Sequence, residues 1–185
     1  MITKFRRVVT GVNEKGKSII QFDGEARNVF TVPSLPGFAV TDLWVTKEIP
    51  VDNTGEEDRG ARPFQHDTDP NGTIFRIVEI PPEEKLPLTG EKQADIEAGM
   101  NAMGTKHKAT LEDRSKHPTM HMTDSIDYLV VLTGELTMIM DVGEVTLKAG
   151  DIIVQRGTRH GWANRGDTPV LLAAVLIEAK HVEGH

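Results

Sequence analysis

The sequence predicts an all-β sandwich or barrel. Short apolar runs recur at intervals of roughly ten residues, with Gly, Pro, Asn and Asp between them. The carboxy-terminal half is the more regular: "DYLVVLTGELTMIMDVGEVTLKAGDIIVQRGTRHGWANRGDTPVLLAAVLIEA" reads as successive strands with turns at "TGE", "DVGE", "KAGD", "RGTRHG" and "NRGDTP". Its last run, "VLLAAVLIEA", is apolar on both faces and needs cover on both sides. A closed or two-sheet antiparallel structure supplies that cover and hides strand edges that would otherwise template aggregation.

From the amino terminus, "RRVVTG", "KSIIQFDG", "NVFTVP", "GFAVTDLWVT" and "GTIFRIVEIPP" are the first strand candidates. Between the last two, "PVDNTGEEDRGARPFQHDTDPNG" is polar and rich in turn formers, and it reads as a long exposed loop. "EKQADIEAGMNAMG" is the helix candidate, with Ile96, Met100 and Met103 at helical spacing and Thr89 available as a cap. Gly99 weakens that helix by about 1 kcal/mol relative to Ala. Further on, Leu136, Met138 and Met140 share one face of their strand, and Ile152 and Val154 share one face of theirs, because strand side chains alternate with period two.

A chain of 185 residues with 38% hydrophobic content can bury one sizeable core, so a single domain over 1–185 is expected. With 28 acidic against 21 basic residues and no Lys/Arg-rich block, the net charge of -7 argues against nucleic acid as a partner. The absence of cysteine removes disulfide and thiolate chemistry and fits a reducing compartment. No apolar core of signal-peptide length follows the first basic residues, and no segment approaches a membrane span, so a cytoplasmic protein without membrane contact is expected.

The stretch "HPTMHMTDSIDYLVVLTGE", residues 117 to 135, places two histidines and two aspartates just ahead of an apolar run, where a structural strand needs none of them. Downstream, "GDIIVQRGTRHGWAN" resembles the second motif of the cupin superfamily, with Gly150, Gly157, His160 and Asn164 on its motif positions and Gln155 where many members have proline. The first cupin motif is matched in variant form. His121 takes the place of its first histidine, Thr123 that of its second, Asp127 that of its glutamate, and Gly134 is the closing glycine.

The resemblance implies the cupin double-stranded β-helix, a jelly-roll barrel, with extra amino-terminal strands and one short helix. Residues 1–110 would supply those strands, the loop and the helix, and 111–180 the barrel core. It also implies a homodimer, the amino-terminal strands packing on the neighbouring barrel. In the family the two motifs meet inside the barrel, where three histidines and a glutamate hold a metal. Carried over position by position, the set here is His121, Asp127 and His160, suited to a divalent Fe, Zn, Mn or Ni with positions left free for water or substrate. One imidazole fewer weakens affinity, and Asp is one methylene shorter than Glu.

His117 is a substitute ligand if 117–121 is extended, since it then shares a face with Thr119 and His121; Pro118 works against this by turning it outward. Asp124 reads as a strand-end residue making local hydrogen bonds. The pocket would be lined by His117, Thr123, Met138, Met140, Gln155 and Trp162. For the two methionines ordinary core packing is an equal alternative; for Trp162, covering the barrel end is the alternative to stacking on a substrate ring. Tyr128 should point away from Asp127. Arg76 either forks onto a substrate carboxylate or pairs with Glu79 or another surface acid.

Two function classes follow. The first is an enzyme acting on a small organic acid or an aromatic or polyketide-like compound. His121, Asp127 and His160 would there hold a metal, for an oxygenase, lyase, dehydratase or decarboxylase reaction, or move protons without one, as in an isomerase. The second is a non-catalytic cupin that binds or senses a metabolite. Retained metal with turnover separates the two.

Overall fold

The computed structural model describes residues 2–86, 99 and 103–182. They form a hairpin and two sheets, all pairs antiparallel. The hairpin joins β1 (Arg6–Val12) to β2 (Ser18–Glu25). The larger sheet runs β3 (Asn28–Thr31), β4 (Ala39–Thr46), β5 (Thr73–Ile80), β11 (Val170–Glu178), β6 (Ser125–Thr133) and β9 (Ile152–Arg156). The smaller runs β10 (His160–Ala163), β7 (Glu135–Met140) and β8 (Glu144–Lys148). A 3-10 turn (Glu83–Lys85) and the helix α1 (Leu111–Lys116) complete the described elements. The all-β reading is thus confirmed.

The apolar run at the carboxy terminus becomes β11, central in the larger sheet between β5 and β6. Its residues alternate between buried and half-buried. The buried set, Val170, Leu172, Ala174 and Leu176, meets Leu136, Met138 and Leu147 of the smaller sheet in the main core. Each such aliphatic side chain contributes about 1.5–3 kcal/mol when fully withdrawn from water. On the half-buried face, Leu171 and Ala173 pack, with Phe5, against a second small cluster of Ala26, Leu43 and Ile77. Met138 is therefore core, and Met140 packs against it. Ile152 and Val154 do share a face, but it is the outward one, because Ile153 and Gln155 take the interior.

Gly134, at the turn between β6 and β7, has φ 75°, and a Cβ there would lie 2.8 Å from Val170 Cγ2. No side chain fits this position without displacing the core strand. The helix expected around Ile96, Met100 and Met103 falls outside the described residues except for Gly99, Met103 and Gly104. Met103 is buried with Val32 and Leu35.

The segment 47–72 contains no strand, as expected, but it is not exposed throughout. Asp67 and Thr68 are buried. The cause is Arg76 of β5, whose guanidinium donates to the carbonyls of Gln65 (2.7 Å) and His66 (3.0 Å) and draws the second half of the loop onto the sheet.

Candidate functional site

His160 opens β10, and His121 lies opposite it in an isolated antiparallel bridge, with amide-to-carbonyl distances of 2.8 and 2.9 Å in the two directions. Side chains directly opposite in such a pair stand on the same face. The two rings accordingly lie 4.3 Å apart, centroid to centroid. His66, from the loop held by Arg76, meets His121 edge-on at 5.6 Å, and Trp162 meets His160 edge-on at 5.3 Å. His66, His121, His160 and Trp162 thus form a continuous row of aromatic rings.

In each of the three imidazoles one nitrogen is fixed by a local partner. Nδ1 of His121 donates to the Thr119 carbonyl at 2.8 Å, Nδ1 of His160 lies 2.9 Å from the Thr158 carbonyl, and Nδ1 of His66 lies 2.7 Å from Asp67 Oδ1. This arrangement turns Nε2 into the acceptor nitrogen, the form in which histidine ligates metals or takes up a proton. Burial pushes His121 well below the ordinary histidine range, and the neighbouring His160 and His66 push in the same direction. Burial likewise takes His160 down to about 4, against the Thr158 carbonyl, which favours the charged ring. Both rings are neutral near pH 7.

Beside this row lies a cavity of about 110 Å³. Phe38, Val40, Val78, Ile80, Leu86 and Trp162 give it an apolar wall, and His66, His121, Arg76, His117, Thr119 and Glu83 supply the polar groups. A closed apolar cavity of about 150 Å³ binds benzene, so this space suits one ring or a short chain. Arg76 does not pair with Glu79. It donates through Nε to the buried Asp42 of β4 at 2.9 Å, while Glu79 accepts from the amide of Thr3. Phe64 packs on the guanidinium, 5.1 Å from carbon to ring centroid.

Of the residues expected in the pocket, His117 and Trp162 line the cavity, whereas Thr123, Met138, Met140 and Gln155 do not. The Thr123 hydroxyl lies 2.8 Å from Ser125 Oγ. Gln155, directly opposite Asp127 in the β6/β9 ladder, supports His160 from behind, its amide nitrogen donating at 2.6 Å to the Thr158 carbonyl that also takes Nδ1 of His160. His117 does not offer a third free imidazole: Nε2 lies 2.9 Å from Glu83 Oε1 and Nδ1 2.7 Å from Thr119 Oγ1.

The expected ligand set His121, Asp127 and His160 is only partly assembled. Asp127 is buried but does not line the cavity, and it accepts from Ser125 Oγ at 2.6 Å. Burial raises its carboxyl to about 6, although Ser125 and Arg76 favour the charged form. Among the described residues, one group of His, Cys, Asp or Glu has three ligand atoms within 4.8 Å of one another, and it is His107, Asp124 and His181, not the interior set. His66 was missed by sequence reasoning. It lies in a polar loop outside both motifs, where only its residue type marks it.

Residues 109–176 match the family model of the cupin domain (Cupin_2), so this part of the chain is a cupin domain. Among characterised proteins it is similar to the phomopsin biosynthesis cluster protein C' of Diaporthe leptostromiformis, 52% identical over 66 residues that cover 35% of each chain. The match spans about a third of that relative's length. Over a longer stretch it is similar to the cupin-domain-containing oxidoreductase srdD of Neurospora crassa, 27% identical over 187 residues, covering 95% of this chain and 76% of the relative. The cupin-domain-containing oxidoreductase virC of Hypocrea virens is 26% identical over 188 residues, covering 95% and 77%. No helix among the described residues is long and apolar enough to cross a membrane.

Proposed function

We propose that this chain is a metal-dependent small-molecule enzyme of the oxidoreductase kind, acting on an aromatic or polyketide-like compound with a carbonyl or carboxylate end. The observation that carries the reading is the anchoring of His66, His121 and His160 through Nδ1, which leaves three Nε2 donors along one row of rings, with His66 and His121 on the polar wall of an apolar cavity. Their chemistry fits a divalent cation. His121 and His160 would be its principal holders, with His66 at the end of the row. A metal bound there supplies Lewis acidity and, if it is iron, access to oxygen chemistry.

The remaining work falls to the chain itself. The apolar wall takes the ring or chain of the substrate and excludes water from it. Thr119 and the two N–H groups of Arg76 left over from its three hydrogen bonds face the polar end. The His117–Glu83 pair closes one side of the cavity. The names of the Neurospora and Hypocrea relatives favour redox chemistry over lyase or decarboxylase chemistry.

A second reading rests on the incomplete closure of the donor set: neutral His121 acts as a proton acceptor without metal, in an isomerase or dehydratase reaction. Elemental analysis of protein purified without a histidine tag or chelator distinguishes the two. The metal reading expects near-stoichiometric Fe, Zn, Mn or Ni that is lost in His121→Ala and His160→Ala. Wild-type protein that after reconstitution holds no equivalent dependent on His121 and His160 overturns it in favour of proton transfer.

A further inference from the structure

Where β6 begins and β11 ends, three side chains from distant parts of the chain converge. His107 comes from the segment ahead of α1, Asp124 from the residue before β6, and His181 from just beyond β11. Nε2 of His107 lies 2.7 Å and Nδ1 of His181 3.0 Å from the same oxygen, Asp124 Oδ1. The two rings are stacked, with centroids 4.9 Å apart and planes inclined by 19°. Asp124 therefore does more than the local hydrogen bonding expected of a strand end.

We propose that His107, Asp124 and His181 form a second, outer site for a divalent cation of the zinc class, separate from the interior histidines. Two imidazoles and a carboxylate are a ligand set that zinc accepts, with a water in the fourth position. With bonds of about 2.0–2.2 Å, neighbouring ligand atoms in a tetrahedron stand about 3.3 Å apart, so the observed 2.7 and 3.0 Å need only open by a few tenths of an ångström. Both nitrogens already point at one spot on the carboxylate, and a cation replaces the two protons they now place there. The side chains are 29%, 22% and 41% exposed, so the ion and its water can enter from solvent.

The backbone sets the site before any ion arrives. The Ala179 amide donates to the Asp124 carbonyl at 2.9 Å, and Glu178 pairs with Ser125 in the β11/β6 ladder, which holds His181 near Asp124. A bound cation would tie the end of β11 and the segment bearing His107 to the start of β6, the strand that carries Asp127. Its role is to fasten this edge of the barrel.

Zinc titration of the tag-free full chain after chelator treatment tests the site. In a His121→Ala/His160→Ala background, which removes the interior donors, one equivalent of Zn²⁺ is expected to bind. Adding His181→Ala or Asp124→Asn should weaken that binding at least about tenfold, since even residues that only support ligands cost that much. Absence of binding in the folded background protein, or binding that neither added substitution moves, overturns the proposal. If the double variant does not fold, the otherwise wild-type chain serves: His181→Ala should lower the bound Zn²⁺ by one equivalent, and an unchanged count overturns the outer site. Wild type binding one equivalent that His181→Ala abolishes supports the outer site while removing the interior metal, so the two readings fail separately.

Discussion

The amides and carbonyls of His121 and His160 bond reciprocally, at 2.8 and 2.9 Å, and this two-way bridge is what sets their rings 4.3 Å apart. The side chains play no part in the bridge, so alanine at either position leaves the backbone pairing in place. His121→Ala and His160→Ala should each weaken metal binding at least about tenfold while destabilising the fold by only about 1–3 kcal/mol, the cost of unmet buried partners. His66→Ala should weaken it less, because His66 contacts only the near end of the row, at 5.6 Å from His121. Metal content against denaturant midpoint for the three variants is the measurement, and equal losses at all three positions would show the row to be wrongly ordered.

Arg76 is a positioning residue for His66. Its guanidinium is buried, bonded to Asp42 and to the carbonyls of Gln65 and His66. Removing it strands a buried carboxylate and frees the loop, a change that typically costs about 3–5 kcal/mol. Arg76→Lys should recover little, since an ammonium cannot span three acceptors held in the plane of a guanidinium. Arg76→Ala/Asp42→Ala should recover part of the stability but not the placement of His66. Unfolding curves give the first comparison and hydrogen exchange at residues 64–68 the second; normal exchange protection in the double variant would assign the loop's position to other contacts.

The fold and part of the site were legible in the sequence, and the division has physical causes. Strand periodicity and turn glycines are local, and they predicted β6 to β9 and β11 in order, down to Gly134, whereas β10 starts at His160, inside a stretch that reads as a turn. His121 and His160 were legible because the motif spacing encodes a backbone bridge. Asp127 was expected to face the cavity, yet its strand leads it beneath the lining, opposite Gln155. His66 was invisible because its position depends on Arg76 reaching across from β5, a long-range contact that leaves no periodic trace. The same holds for His107 and His181, which come from distant parts of the chain and meet at Asp124.

The pH dependence of the metal-stripped chain should contain two opposed contributions. Asp127 is raised by burial from 3.8 to about 6, so its contribution is fully present below pH 3.8 and is lost as pH rises through about 6. His160 is lowered by burial from 6.5 to about 4, so its contribution is present above pH 6.5 and is lost as pH falls through about 4. Each corresponds to about 3 kcal/mol. Asp127→Asn, which imitates the protonated carboxyl, should match wild type near pH 4 and exceed its stability by up to about 3 kcal/mol near pH 8. Urea unfolding across that range checks the sign; a variant less stable than wild type at pH 8 would mean the ionised carboxylate is favoured in the fold.

Val78 offers a way to separate substrate binding from metal binding. It lies on β5, lines the cavity and packs against the main core. Val78→Phe places a ring where a substrate ring would lie in a cavity of about 110 Å³. Overpacking of this kind costs about 1–3 kcal/mol, which a folded domain withstands. Because Trp162 lines the same cavity, its fluorescence should respond when an aromatic carbonyl compound binds to wild type. In Val78→Phe that response should require at least about tenfold more ligand, a loss of about 1.4 kcal/mol, with metal content unchanged. A response of wild-type strength in the variant would place the ligand outside this cavity, and a parallel loss of metal would show that the cavity wall and the imidazole row are one packing unit.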